Sequence, residues 1–433
     1  MPPLPLPPPL RGTDGGFTTD SIRRRLPLIL DETLAHNDSN DGDALPPTLR
    51  AALLALREEI VRDAPLAPLA PHPSNTSCGF GGQPGERDDA PADDGGGAHA
   101  TDGSGGATWL SAPWFHVENA FYRRILDACR AAGWERDPFA RQKAAALRGA
   151  AAAFAAAVLP LARSLDVGAL LLRSLWGNRH DLSLFTVAAL AAAAHGGGEA
   201  DALLVDETAA AVRLLRAGSP GTVAILLDNC GLELLADLAL ADGLLRAGCA
   251  AQCLLIAKRD PVFVSDVVGS RFDDVGSHLA WLDAADGDSG DGGAAALAAR
   301  LRAALASGAL QVRDDPFLNS PLPFWALPPG GPLHALLAGC RLVIAKGDAN
   351  YRRLLGDRHW KHDTPFADVT REFPAPLLAL RTCKAGVVCG LPAPAEARAA
   401  AADPADWLVS GKYGLAQLGG AAAAPAAGLG GSA

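Results

Sequence analysis

Four apolar runs in this chain end on polar side chains with chemical potential. The run AILL leads into Asp228 and Asn229, and CLLIAKR is followed shortly by Asp266 in PVFVSD. RLVIA leads into Lys346, Gly347 and Asp348, and LLAL leads into Arg381, Thr382 and Lys384. Two carboxylates and an amide make an all-oxygen donor set. That set suits a hard or borderline divalent ion such as Mg²⁺ or Mn²⁺, with water in the open positions. Apart from Cys230, no His or Cys falls in the short motifs around Asp228, Asn229 and Asp266, which disfavours a structural zinc site. Lys346, Arg352, Arg381 and Lys384 can neutralise a phosphate, helped by backbone N–H groups of the turn at Gly347. A metal ion beside a cationic clamp is the constellation that phosphoryl transfer to water requires.

Each run has a plainer reading. Asp-Asn after a strand is most often a helix N-cap, and Glu233 in the first turn would be favoured by the helix dipole alone. KGD is a turn at least as often as a phosphate cradle, RTCK can be a solvated strand end, and Asp266 can cap the segment after FVS. Cys249 and Cys253, four apart, are expected to pack rather than bind metal. The joint pattern outweighs any single run, because ligands of an open α/β sheet gather at the carboxyl ends of its strands.

The elements that must position these residues are legible as a change of rhythm. Helical spacing dominates to about Ala217, beginning with TTDSIRRRLPLILDETLAHN, where Thr18 or Thr19 is the expected cap, and LPPTLRAALLALREEIVRD. Short β-rich runs follow: TVAILLD, AQCLLIAKR, ALQVRD, CRLVIAKG and PLLALRT. All but the first pair are separated by lengths suited to helical crossovers. The expected fold is a Rossmann-like α/β/α sandwich with a mainly parallel sheet, preceded by an N-terminal helical bundle. Its expected divisions are a disordered Pro-rich start (1–14), a helical domain (15–217) with a flexible Gly/Asp-rich insert at about 72–107, an α/β domain (218–418) and a low-complexity tail (419–433).

Composition narrows the field. A chain of 433 residues with 49% hydrophobic and 20% charged side chains suits a globular protein with a large core. Its net charge of −10 argues against nucleic acid as partner, though a local basic pocket can still bind a small anion. Eight scattered cysteines, no signal-peptide pattern and no membrane span predict an intracellular, cytoplasmic protein without a membrane partner. The most apolar run, around residues 149–162, is short and mostly alanine.

The motifs taken together resemble the metal-dependent damage-control phosphatases, and within them the third subfamily, sugar-phosphate phosphatases also described as acidic-residue methyltransferases. The resemblance runs from about Phe17 to Leu418, outside the insert. It rests on SIRRRLPLIL, WLSAPWFHVENAFYRRI, DPFARQK, LWGNRHDLSL, LLDNCGLELLADL, PVFVSDV, KGDANYRRLLGDRHW, RTCKAGVV and WLVSGKYGLAQ. RTCK fits the subfamily's Arg-Thr-x-Lys signature.

The resemblance implies that Asp228, Asn229 and Asp266 hold a divalent ion, Mn²⁺, Co²⁺ or Ni²⁺, with Mg²⁺ an alternative. It implies substrate contacts from Asp348, Ala349, Asn350, Tyr351, Arg352 and Lys384. Asp228, Asn229 and Arg381 join that set, and Glu233, with Asp266, matches a position assigned to S-adenosylmethionine. Asn178 and Asp181 are expected near the pocket. Asp228, Asp266 and Lys384 are the expected catalytic residues, and attack by ion-activated water or by an acid stays open. The implied substrate is a small phosphorylated metabolite such as fructose 1-phosphate or fructose 6-phosphate. The rival implication is a glutamate methyltransferase, against which LLDNCGLE offers one glycine rather than a glycine-rich cofactor loop. Cys230, Leu232, Ala349 and Gly386 depart from the family pattern without removing a proposed ligand.

Overall fold

The computed structural model describes residues 4–38, 44–67, 69, 106–177, 202–285 and 293–421. The helical part comprises α1 (Gly16–Asp20), a π turn (Ser21–Arg25), α2 (Leu26–His36), α3 (Pro47–Val61), α4 (Trp114–Ala131), α5 (Ala140–Gly149), α6 (Ala151–Ser164) and α7 (Val167–Trp176). The sheet then unfolds as β1 (Leu203–Asp206), α8 (Thr208–Arg216), β2 (Gly221–Leu226), α9 (Leu232–Arg246) and β3 (Ala250–Lys258). It continues through α10 (Asp274–Ala284), α11 (Ala294–Ser307), β4 (Leu310–Asp315), α12 (Pro332–Ala338), β5 (Leu342–Lys346), α13 (Gly347–Leu355), β6 (Pro376–Thr382), α14 (Ala393–Ala402) and β7 (Gly414–Gly420).

All five expected strands form. They lie in the order β6-β5-β2-β3-β4 and are mutually parallel, and β7 and β1 extend the sheet beyond β6. β7 runs antiparallel to β6, and β1 runs parallel to β7. The chain moves from β2 outward to β3 and β4, then returns to place β5 on the other side of β2. The ends of β2 and β5 therefore flank the topological switch point, where a crevice opens in such sheets.

Side-chain alternation divides the core in two. Val223, Ile225 and Leu227 pack with α7 and α9, whereas Ala224 and Leu226 pack with Leu30, Trp114 and Phe121 of the helical part. Helices α2–α4 thus lie against one face of the sheet while α6 and α7 join α9 on the other, and the expected division at 217/218 does not coincide with a break in the core. The sheet itself begins earlier, at Leu203.

Two terminal expectations are corrected. From Leu4 onward the Pro-rich start is ordered against the rest of the chain. Leu10 N–H donates to Asp357 O (2.9 Å), Leu10 O accepts from Trp114 N–H (2.7 Å), and Pro8 O accepts from His359 N–H (3.0 Å). Proline cannot donate a backbone hydrogen bond, but its fixed φ keeps the strap extended and its carbonyls accept. Gly419 and Gly420, assigned to the tail, complete β7. Helix α1 starts at Gly16 with Gly15 as cap, ahead of Thr18 and Thr19. The insert up to residue 105 and the tail from 422 lie outside the described residues. Among the described residues, no single helix is long and apolar enough to cross a membrane.

Candidate active site

Asp228 and Asn229 leave β2 without capping the helix that follows. The N-cap of α9 is Gly231, at φ 78°, and its N–H donates to His278 Nε2 at 2.8 Å. The capping role is taken elsewhere, which frees the acid–amide pair to face the crevice. Asp266 arrives there on the loop after β3. That loop carries Phe263 at φ 50° and Val264 at φ 66°, a costly conformation for a β-branched residue. Three bonds secure it: Val267 N–H to Asp228 O (2.7 Å), Cys230 N–H to Ser265 O (2.7 Å), and Ser265 Oγ–H to Asn229 Oδ1 (2.5 Å). The two strand-end loops are thereby zipped together.

Behind these residues lie two buried lysines. Lys258, the last residue of β3, forms an ion pair with Asp266 Oδ2 at 2.8 Å and donates to Asp228 Oδ1 at 3.2 Å and Leu227 O at 2.9 Å. Lys346, ending β5, reaches Glu233 Oε1 (2.8 Å), Asp237 Oδ1 (3.0 Å) and Ser174 O (2.7 Å). Asn229 Nδ2 bridges the two groups, donating to Asp228 Oδ2 (2.8 Å) and Glu233 Oε2 (2.9 Å). Four buried carboxylates face two ammonium groups, a formal excess of two negative charges when all four acids are ionised. The proton equilibria reflect that surplus. Burial pushes Asp228 well above the usual carboxylate range, with Lys258 opposing and Asp266 and Glu233 reinforcing. Burial likewise raises Asp266, and raises Asp237 to about 6. Burial alone would lower Lys258, but the charges of Asp266 and Asp228 outweigh it and hold the ammonium firmly protonated.

The crevice opens into a cleft of about 510 Å³. Of the expected site residues, Asp228, Asn229, Glu233, Asp266, Asp348, Ala349, Arg352 and Lys384 line it. Three others do not. Arg381 is fully buried, with Nε 2.7 Å from Asp348 Oδ1, a bond to Ala385 O at 2.7 Å, and its guanidinium over the Tyr351 ring. Tyr351 donates its hydroxyl to Gln417 Oε1 (2.8 Å), and Asn350 donates to Lys346 O (2.9 Å). All three brace the site from behind rather than contact its contents. Lys346 is likewise committed to buried acids and is not a phosphate clamp. Asn178 and Asp181 lie outside the described residues, although Gly177 beside them lines the cleft.

Sequence reasoning missed the contribution of the helical part. Arg25, on the π turn, and Trp114 and Glu118 of α4 line the cleft. Arg352 is clamped between Glu118 Oε2 (2.5 Å) and Asp357 Oδ1 (2.7 Å), with its guanidinium 3.6 Å from the Trp114 ring centroid. Burial pushes the Cys230 thiol well above its ordinary range, so it lines the cleft as a neutral, poorly reactive group.

Asp228, Asn229 and Asp266 bring two carboxylates and an amide oxygen to one rim at the inner end of the cleft, a donor set whose chemistry suits a hard divalent ion. Gly347 makes the cradle possible: it sits at φ 77°, and a Cβ there would lie 1.8 Å from Asp228 Oδ2. Among the described residues no three His, Cys, Asp or Glu side chains form a metal cluster, so water would have to complete the shell.

The model of the damage-control phosphatase ARMT1-like domain matches residues 21–399. The chain belongs to that family. The match spans helices α2–α7 and strands β1–β6, and β7 lies beyond it. Proteins named damage-control phosphatase ARMT1 from Rattus norvegicus and Danio rerio are 30% and 29% identical to this chain. Both alignments cover 94% of this chain, and 97% and 95% of the relatives respectively. The Homo sapiens protein of that name is 28% identical, with 96% and 99% covered. A crystal structure of a DUF89 family protein from Pyrococcus horikoshii aligns over 85% of this chain and 92% of its own, with a TM-score of 0.44 and 12% identity.

Proposed function

We propose that this family member is a metal-dependent phosphomonoester hydrolase acting on small sugar phosphates, with fructose 1-phosphate and fructose 6-phosphate as the leading candidates. The observation that carries the reading is the convergence of Asp228, Asn229 and Asp266 with Arg352 and Lys384 on the walls of one cleft at the switch point. Asp228, Asn229 and Asp266 would hold the ion, which supplies Lewis-acid neutralisation of phosphoryl oxygens when bound. Arg352, bonded through all three guanidinium nitrogens to Asp357 and Glu118, is held rigid on the cleft wall as a fixed positive charge toward an anion. Asp348 accepts from the Lys384 backbone N–H at 3.3 Å, which orients that lysine's turn toward the cleft. Glu233, fixed by Lys346 and Asn229, borders the cleft as a hydrogen-bond acceptor for substrate hydroxyls. Asn350, Tyr351 and Arg381 keep this frame in register, and Ala349 leaves room for the sugar.

The methyltransferase reading gains no support from the turn after β2, where Gly231 serves as helix cap. A panel decides: Mn²⁺, Co²⁺, Ni²⁺ and Mg²⁺, each with hexose and pentose phosphates, alongside S-adenosylmethionine binding in chelator. Phosphate release that requires an ion supports the proposal. No release with any ion, or S-adenosylmethionine binding without one, overturns it.

A further inference from the structure

Helix α1, the π turn and α2 form one continuous rod, in which Leu26 N–H donates to Ser21 O, five residues back. Pro27 accounts for the wide turn, because it has no N–H for Arg23 O and its ring crowds that carbonyl. The wide turn decides which side chains meet the cleft. An α-helix returns to the same face after about seven residues, or two turns, and again after about eleven, or three. Phe17 and Arg25 are eight apart, one more than two turns allow, and the π turn absorbs the extra residue. Arg25 and His36 are eleven apart. The three therefore fall in one line, and all three line the cleft. Ile22 and Leu26, both buried, anchor the rod in the core.

Arg25 is placed unlike its neighbours. Arg24, one residue earlier, pairs with Asp20 at 3.0 Å and does not line the cleft. Arg352 is committed to Asp357 and Glu118. Arg25 lines the cleft and has no hydrogen bond or ion pair among the described residues. Its charge nonetheless reaches the inner site. Burial pushes the Tyr122 phenol far above its ordinary range, Arg25 opposes that rise, and Glu118 and Asp266 add to it. Arg25 and Asp266 thus act on the same buried side chain, which sets the guanidinium toward the inner end with its N–H donors open to a ligand.

We propose that Arg25 binds the scissile phosphate, supplied by the helical part to complement Arg352 and Lys384 from the elements after β5 and β6. Its planar fork matches two phosphate oxygens, and its place on a π turn fits the frequent use of such turns at functional sites. The inference rests on the phosphatase reading for the identity of the anion.

The test measures calorimetric binding of inorganic phosphate, at saturating Mn²⁺, to the wild type, Arg25→Ala, Arg25→Lys and Arg24→Ala. Circular dichroism verifies folding of each. Arg24→Ala removes the same charge from the same turn but away from the cleft. The phosphate Kd is expected to rise about tenfold or more in Arg25→Ala. It should rise less in Arg25→Lys, which keeps the charge and loses the fork, and by under about twofold in Arg24→Ala. Equal weakening in the two alanine variants, an unchanged Kd in Arg25→Ala, or no phosphate binding by the wild type overturns the assignment. Turnover of fructose 1-phosphate separates this idea from the phosphatase reading. Phosphate binding that depends on Arg25 without hydrolysis of any phosphomonoester keeps the residue and removes the phosphatase. Hydrolysis with KM and kcat unchanged in Arg25→Ala keeps the phosphatase and removes the residue.

Discussion

Replacing Gly347 with alanine is a one-methyl test of the inner site. The residue sits at φ 77°, and an ideal Cβ there would meet Asp228 Oδ2 at 1.8 Å, Cγ at 2.2 Å and Cβ at 2.7 Å. Rotating the carboxylate away cannot relieve this, because the Asp228 Cβ itself is too close. Backbone must move, either at the start of α13 or at the end of β2. A left-handed non-glycine residue costs about 1–2 kcal/mol, and overpacking a filled site adds about 1–3 kcal/mol. The expected destabilisation is therefore about 2–5 kcal/mol, read as a lowered midpoint in urea. Displacing Asp228 by about an ångström should also lower metal-stimulated turnover by about 10²-fold. Gly248→Ala is the control: its φ is 64°, with nothing within 4 Å of a Cβ, so it carries the backbone cost alone. Equal losses of stability in both variants, with ion affinity and turnover intact in Gly347→Ala, would refute the claim that this glycine makes room for the ligand carboxylate.

Two further predictions follow from the same network. His278 is held neutral, with burial lowering its pKa to about 4, because Nε2 accepts from Gly231 N–H. A histidine depressed in the folded state contributes stability above its unfolded value of 6.5 and loses it as pH falls toward 4. That is about 3 kcal/mol across the window. His278→Gln should flatten urea midpoints between those pH values, and an unchanged slope would remove the assignment. Deleting residues 1–11 removes the Leu10 bridge between Trp114 and Asp357, which flank Arg352. The truncated protein should lose about 2–4 kcal/mol and show a raised KM for sugar phosphates. A KM equal to wild type would show that the strap does not position Arg352.

How far the sequence could be read depended on what each residue had to oppose. Five strands announced themselves by apolar runs, and their polar ends located Asp228, Asn229, Asp266, Asp348 and Lys384. β7 did not, because GLAQLGG is glycine-rich and its last two residues run into the low-complexity tail. Its glycines are there for contact: a Cβ on Gly414 would lie 2.8 Å from Leu175 and Trp176, and one on Gly419 would lie 2.2 Å from Thr370 Oγ1. β1, only four residues long, left no periodicity to find. At the site, a cation at a strand end does not reveal whether it serves a substrate or a buried acid. Lys346 and Arg381 looked like phosphate ligands and are neutralising partners of Glu233, Asp237 and Asp348. Lys258, read only as part of the run AQCLLIAKR, is the countercharge of Asp228 and Asp266. Arg25, Trp114 and Glu118 come from helices, where no strand-end rule points.

The most direct measurement of the central claim is phosphate release from fructose 1-phosphate at saturating Mn²⁺ by Asp228→Ala and Asp266→Ala, each verified as folded. The account predicts that both variants lose metal-stimulated release while keeping wild-type secondary structure. Full activity in either would contradict it.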